Sequence, residues 1–360
     1  MVAQKQRLFI VIIGIVLIII FVSSLSESRE RITSKVESTW LYHGSPEEAG
    51  FSSAQLDAAK KYYDSIGSTA AMVIYNGKVL VSWGDVTKKS NIHSVRKSLL
   101  SALYGIHVAE GTINLQSSLK QLNVSDHMEL TEQEKQARVV DLLTSRSGVF
   151  LTAGQESWLM RWKRPDREVY PPGSHFYYNN WDFNVLGTIF TERTQRDIFE
   201  EFKDRIADPI GMEDYTEDDW FYKFELNRSL HPSYLFRMSA RDMARFGQLY
   251  LQNGVWEGEQ MIPVQWIEES TSVHTPTANA PYGYGYMWWV ADSGYFRELG
   301  LYSAIGRYGQ SIDIIPSENL VFVHRVDSDK LWNRAFKNVS DRKRLKLLEM
   351  ILDAKMTNEL

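Results

Sequence analysis

Cysteine is absent from all 360 residues. That absence removes a cysteine nucleophile, a disulfide framework and a thiolate metal site together. It also means that an exported form of the chain would need no oxidative folding. Charge of one sign is scarce as well: the net charge is −5, and no basic run is long enough to follow a phosphate backbone, so nucleic acid is not an expected partner. Neither a His-Glu-x-x-His pattern nor a cluster of histidines suggests a metal. No glycine-rich loop suggests a phosphate or dinucleotide. No cofactor is therefore expected.

Hydrophobic residues make up 44% and charged residues 24%, which is ordinary globular usage with ample material for a core. The clearest piece of organisation is N-terminal. Lys5 and Arg7 precede an uncharged run from Leu8 to Val22, and Glu27, Arg29 and Glu30 restore polarity after it. Cationic start, apolar stretch and polar exit fit a secretory signal or a retained anchor. The run of 15 residues is short of the roughly 20 of a comfortable span. No convincing small-x-small cleavage site follows it. Residues 1–25 are read as a single-pass signal anchor with the bulk of the protein outside the cytoplasm, or as a signal peptide, in which case the protein is secreted. Residues 26–45 read as a polar, Ser-rich linker, and 46–355 as the folded domain.

Within that domain a helix follows Ser52 or Ser53, with Leu56, Ala59 and Tyr62 on one face. Two β-rich runs, Ala71 to Tyr75 and Lys78 to Trp83, flank Asn76-Gly77, the strongest short-range hairpin signal. Ser94 to Glu110 has helical periodicity and stops at Gly111. Residues 112–235 look helical and loopy, with a helix from Asp182 to Thr194 after the Pro-Pro-Gly turn at 171–173. Ser239 to Gln252 is another helix. Strand character then dominates: Gly285 to Val290, Gln310 to Ile315 and Leu320 to His324. A helix from Asp341 to Lys355 closes the chain. Strands at both ends and helices between imply an α+β fold: one antiparallel sheet flanked by N- and C-terminal helices, with a mainly helical insertion. The sheet part is expected over about 46–110 and 236–355, and the helical part over about 111–235.

Chemistry enters with Ser94-Val-Arg-Lys97. Serine needs a base, and the i, i+3 spacing puts Ser94 and Lys97 on one helix face within hydrogen-bond reach. A serine at a helix N-terminus also has backbone N–H groups nearby, suited to an oxyanion. Ser-x-x-Lys recurs at Ser117 to Lys120 and Ser340 to Lys343, but only Ser94 opens an amphipathic helix directly after the hairpin. No Gly-x-Ser-x-Gly elbow offers a competing nucleophile.

Several ordered segments then carry a family resemblance. Ser-x-x-Lys is the nucleophile motif of beta-lactamases and penicillin-binding proteins. His93-Ser-Val-Arg-Lys-Ser-Leu-Leu100 resembles the nucleophile helix of the class C branch and its esterase and 6-aminohexanoate-oligomer-hydrolase relatives. Asp141-Leu-Leu-Thr-Ser-Arg-Ser-Gly148, Pro172-Gly-Ser-His-Phe-Tyr-Tyr-Asn-Asn180, Met238 to Gln248 with Asn253 to Trp256, and Tyr284 to Trp288 are similar to further segments of that family. The resemblance covers about residues 45–350. It implies a beta-lactamase/transpeptidase-like fold, with Tyr178 in the tyrosine role and Asn180 in the amide-binding role. A phenol beside the Lys97 ammonium would lose its proton more easily and could act as a shuttle. Tyr177-Tyr-Asn179 is also Tyr-x-Asn; the spacing from Pro172-Gly173 selects Tyr178 and leaves Tyr177 as its structural neighbour.

The third motif departs from the family pattern, for no Lys-Thr-Gly exists in the chain. Gly306-Arg-Tyr-Gly-Gln310 stands in the matching place. Arg307 is expected near the cationic position or as a surface arginine, Gly309 where a side chain would obstruct the substrate, and the Gln310 N–H as oxyanion-hole partner of the Ser94 N–H. His93 reads as structural, Trp181 and Asp182 as cleft lining or helix-start packing, and Trp288-Trp289 as sheet core. The resemblance implies a serine hydrolase acting on a small ester or amide through an acyl-enzyme. D-amino-acid peptidase or beta-lactamase activity is the alternative within enzymes; a catalytically silent envelope scaffold is the alternative outside them. Oligomeric state is not legible.

Overall fold

The computed structural model describes residues 39–278 and 281–356. The expected membrane segment and most of the linker lie outside the described residues. Within them, no helix is long and apolar enough to cross a membrane. The described chain is attached to the domain from Trp40 onward: the Trp40 indole donates to the Arg241 carbonyl (3.3 Å), and Val79 N–H donates to the Leu41 carbonyl (2.8 Å).

Asn76 and Gly77 both take positive φ (49° and 76°), the combination that a two-residue type I′ turn requires. They join β1 (Ala70–Tyr75) to β2 (Lys78–Gly84). The remaining strands are β3 (Ser90–Asn91), β4 (Trp220–Lys223), β5 (Ser233–Met238), β6 (Val255–Trp256), β7 (Glu259–Gln260), β8 (Tyr282–Tyr284), β9 (Trp289–Ala291), β10 (Tyr302–Gly306), β11 (Gln310–Ile315) and β12 (Leu320–Arg325). Seven form one antiparallel sheet in the order β2-β1-β12-β11-β10-β9-β8. The helices that position the site and cover the sheet are α1 (Ser53–Ile66), α2 (Arg96–Ala109), α3 (Val139–Leu143), α4 (Trp158–Lys163), α5 (Asn180–Thr194), α6 (Ala240–Leu251) and α7 (Asp341–Asp353).

Both faces of the sheet are buried, and the period-2 alternation of strands divides the apolar side chains between them. In β12, Val321 and Val323 belong to one cluster and Leu320 and Phe322 to the other. α6 covers the first face closely: a methyl group on Gly247 would lie 2.6 Å from Val321 and 2.8 Å from Ile312. α1 and α7 cover the second face, burying Leu56, Ala59, Tyr63 and Ile66 from α1; Tyr62, expected on that face, is only partly buried. The fold is the α+β arrangement expected from the sequence.

Two regions differ from the sequence-based reading. The insertion contains β4, which pairs with β5 in a small sheet that also includes β3. The strand has four residues and packs on a non-local partner, Phe199, against which Trp220 stacks at 5.7 Å and 2° and Tyr222 lies tilted at 4.9 Å. The second difference is at Gly285 to Val290. Gly285 to Trp288 is the hairpin turn between β8 and β9, with Met287 at φ 61°, while Trp289 and Val290 lie in β9 as expected. Tyr286 N–H donates to the Ser270 carbonyl (3.0 Å) and Met287 N–H to the Leu143 carbonyl (3.1 Å), which draws the segment out of the sheet. Ser98 and Ser101 of α2 donate to the carbonyls of Met287 (2.8 Å) and Tyr286 (2.7 Å) and tie the turn to the helix.

Candidate active site

A 3-10 turn, His93–Val95, leads into α2. His93 stands at φ 52°, with its N–H bonded to Asn91 Oδ1 (2.7 Å) and its Nε2 at 2.7 Å from Ser328 Oγ. Burial, assisted by Arg307, pushes its imidazole down to about 3. The residue is therefore neutral and structural, and it fixes the approach of the chain to Ser94. Every residue of α2 from Arg96 to His107 is buried, so Lys97 projects from a rigid support.

Lys97 Nζ lies 2.9 Å from Ser94 Oγ, 2.7 Å from the Tyr178 hydroxyl and 3.2 Å from Asn180 Oδ1. It also sits 4.4 Å from the Phe183 ring centroid. Tyr178 and Asn180 arrive on either side of a helix cap. Asn179 accepts from Trp181 N–H (3.0 Å) to start α5, and its amide donates to the Val149 carbonyl (2.7 Å). Ser147, from the Leu-Leu-Thr-Ser-Arg-Ser-Gly segment, donates to Asp182 Oδ1 (2.6 Å) and holds the first turn of α5. The Asp141 to Gly148 segment thus braces the start of α5, and Asp182 is part of that bracing. Tyr177 points elsewhere, donating to the Met160 carbonyl (2.6 Å). The Asn180 amide is engaged within the protein: besides accepting from Lys97, it donates to the Gln155 carbonyl (2.8 Å). It holds Lys97 from the side opposite its bond to Gln155.

Burial is the largest influence on Lys97 and, with Arg96 and Arg307, holds its ammonium well below the ordinary lysine range. No carboxylate pairs with it among the described residues. Tyr178 is pushed up to about 12 by burial, against weaker opposing effects of Ser94 and Arg96. Burial thus shifts both groups toward their neutral forms, an amine and a phenol, and acts against the easing of Tyr178 deprotonation that the sequence suggested.

The end of β10 closes the site, and here too the expected residues change places. A methyl group on Gly306 would lie 2.4 Å from the Ile92 carbonyl and 3.2 Å from Ser94 N. Gly306 is therefore the glycine that must be small beside Ser94. Gly309 has φ 91°, and a side chain there would meet Val339 at 2.8 Å, so its requirement is conformational and internal. Gln310 is fully buried beside Gly306 in the β10–β11 ladder, and its side chain is held by Arg325 (2.6 Å) and the Val326 carbonyl (2.6 Å). Arg307 is exposed, at 5.8 Å from the Tyr308 ring, and has no salt bridge among the described residues. β10 pairs with β9 only at Tyr302 and Ser303, which leaves its last residues without a ladder partner on that side.

Sequence reasoning missed three contributors. Arg96 is buried within the Ser-x-x-Lys motif itself. Trp289 stacks on Tyr178 at 5.4 Å and 30°, whereas its neighbour Trp288 is fully buried core as expected. Gly306 carried no distinguishing signal beside Gly309. Among the described residues no group of three or more His, Asp or Glu could hold a metal ion.

The described site thus joins a lysine, a helix-start serine and a tyrosine by hydrogen bonds at the end of β10 in the antiparallel sheet. The family model for beta-lactamase matches residues 56–347, and the chain belongs to the beta-lactamase family. A protein of Alkalihalophilus pseudofirmus without assigned activity is 21% identical over 302 residues, covering 72% of this chain and 83% of that one. A 6-aminohexanoate-dimer hydrolase candidate from Bacillus anthracis shares the fold with a TM-score of 0.61 at 23% identity, over 82% of this chain and 80% of that one. A class C beta-lactamase solved with cefoxitin does so with a TM-score of 0.61 at 16% identity, over 84% and 99%.

Proposed function

We propose that this chain is a serine hydrolase that cleaves small esters or amides through an acyl-enzyme. The observation that carries the proposal is the Lys97 amine placed between Ser94 Oγ and the Tyr178 hydroxyl. Membership of the family and the hydrolases among its structural relatives support hydrolysis as the reaction class.

In the acylation step Ser94 Oγ bonds to the substrate carbonyl carbon as its proton passes to Lys97 Nζ. The carbonyl oxygen becomes an oxyanion facing the Ser94 N–H and, at the end of β10, the Arg307 N–H. This replaces Gln310 as the second donor, because Gly306 rather than Gly309 lies against Ser94. Tyr178 then gives its proton to the leaving oxygen or nitrogen and regains one from Lys97, and the bond to the leaving group breaks. Water adds to the acyl ester with the same relay reversed, and the acid is released as Ser94 recovers its proton. Asn180 keeps Lys97 in line throughout. The exposed Arg307 side chain supplies the cationic character that Lys-Thr-Gly supplies elsewhere in the family and favours substrates with a negative group. On the same reading, residues 1–25 anchor the domain outside the cytoplasm, as the Lys5/Arg7 flank and the apolar run support.

Turnover of p-nitrophenyl acetate, a linear 6-aminohexanoate dimer and a chromogenic cephalosporin tests the proposal. Ester or amide turnover lost in Ser94→Ala is expected. Cephalosporin turnover above the other two would favour the beta-lactamase alternative; no Ser94-dependent turnover or labelling of any kind would favour the silent scaffold.

A further inference from the structure

Arg96 is 3% exposed and adjoins Lys97, itself 2% exposed. Two cationic side chains are thus buried at consecutive positions, Lys97 against Asn180 and Arg96 against Asn184 one turn further along α5, although a buried charge is normally paired. Arg96 has no salt bridge among the described residues. Its Nη2 reaches Asn184 Oδ1 at 3.4 Å, its Nη1 lacks a hydrogen-bond partner, and its guanidinium lies 4.1 Å from the Tyr234 ring centroid. A guanidinium remains protonated under these conditions, since its intrinsic basicity far exceeds that of an amine. Of two buried neighbours competing to carry charge without a counterion, the lysine is the one that yields.

The other groups around Lys97 do not offset this. In the turn before its helix is Ser94 and on the helix Arg96; before and within α5 are Tyr178, Asn180 and Phe183; beyond β10 is Arg307. The acid on α5, Asp182, is turned to Ser147 and Asn179 rather than to Lys97, and burial pushes its carboxyl well above the carboxylate range. Tyr234 and Tyr284 are likewise buried phenols raised above their ordinary value.

We propose that Arg96 is a positioning residue that acts through Lys97: its uncompensated buried charge keeps the Lys97 side chain as the free amine that Ser94 needs as its base. The motif residue between serine and lysine is thereby an electrostatic part of the nucleophile. The functional half of this inference rests on the assignment of Lys97 as base; the electrostatic half stands without it.

The test follows the Lys97 side-chain carbon signal by NMR in full-length protein carrying isotope-labelled lysine, assigned with Lys97→Met, across a pH series. In the unsubstituted protein Lys97 should titrate well below the other lysines. Arg96→Met should move its midpoint up by about one pH unit or more, as expected for loss of a like charge at short range. Asn184→Asp keeps Arg96 and gives it a carboxylate partner, and it should move the midpoint the same way; it serves where Arg96→Met does not fold. Arg96→Lys retains a cation and should stay nearer the unsubstituted protein. Fluorophosphonate labelling of Ser94 should lose about tenfold in rate on the acidic side for each pH unit moved. An unchanged Lys97 midpoint in Asn184→Asp and Arg96→Met would overturn the inference. So would equal shifts in Arg96→Lys and Arg96→Met, because packing rather than charge would then be the cause. If Lys97 behaves as expected but Ser94 is never labelled, the Arg96 effect stands and the hydrolase assignment is what fails.

Discussion

Lys97 Nζ and the Tyr178 hydroxyl are 2.7 Å apart, and the protein drives both toward their neutral forms. A neutral amine accepts the serine proton, and a neutral phenol has one to give to a leaving group. This defines the pH behaviour. The group that must be deprotonated is Lys97, whose folded value is lowered, so activity rises with pH through a limb well below the ordinary lysine range. The group that must stay protonated is Tyr178, at about 12, so no loss from it is expected until that pH. Rates of Ser94 labelling from pH 5 to the alkaline limit of folding check this; an acid limb at the pH of an exposed lysine would contradict it.

Tyr178→Phe keeps the ring that stacks on Trp289 and removes only the hydroxyl. Its kcat should fall by about 10²–10⁴, the usual range for a lost general acid, with thermal stability little changed. A variant with full kcat would show that leaving groups depart without Tyr178.

The two glycines at the end of β10 give opposite outcomes. Gly306→Ala brings a methyl against Ile92 O and Ser94 N, so labelling of Ser94 should drop by more than about tenfold, as for a displaced oxyanion donor. Gly309→Ala meets Val339 and a strained φ, so it should lower the melting temperature more than it lowers kcat. Parallel thermal melts and kinetics on both variants separate the two roles.

Stability of the sheet's second face depends on a buried ion pair. Arg344 of α7 pairs with Asp313 of β11, and Asp313 also accepts from Ser303 (2.6 Å) and Ser311 (2.8 Å). Both partners have no exposed side-chain surface. Arg344→Met leaves the carboxylate unpaired and should cost about 3–5 kcal/mol, read by denaturant unfolding. A loss under about 1 kcal/mol would mean that water or a neighbour replaces the guanidinium.

Much of this architecture was legible locally. Asn76-Gly77 specifies its turn by backbone conformation alone, and Ser94 to Glu110 specifies its helix by apolar spacing, so both appear where the sequence places them. The i, i+3 spacing likewise brings Ser94 and Lys97 together without help from the rest of the fold. β4 was not legible, because its stacking partner Phe199 lies outside any local window. Tyr286 and Met287 look like strand residues, and their bonds to the distant carbonyls of Ser270 and Leu143 and from the hydroxyls of Ser98 and Ser101 make them a turn. The exchange of roles between Gly306 and Gly309 has the same origin: which of the two faces Ser94 depends on strand register, and composition at the two positions is identical.

The central claim is that Ser94 is a nucleophile activated by Lys97, and intact-mass spectrometry after fluorophosphonate treatment at neutral pH tests it most directly. One adduct per chain, mapped to Ser94 and abolished in both Ser94→Ala and Lys97→Met, is the predicted result. No adduct, or one that persists in folded Lys97→Met at the original rate, would contradict the account.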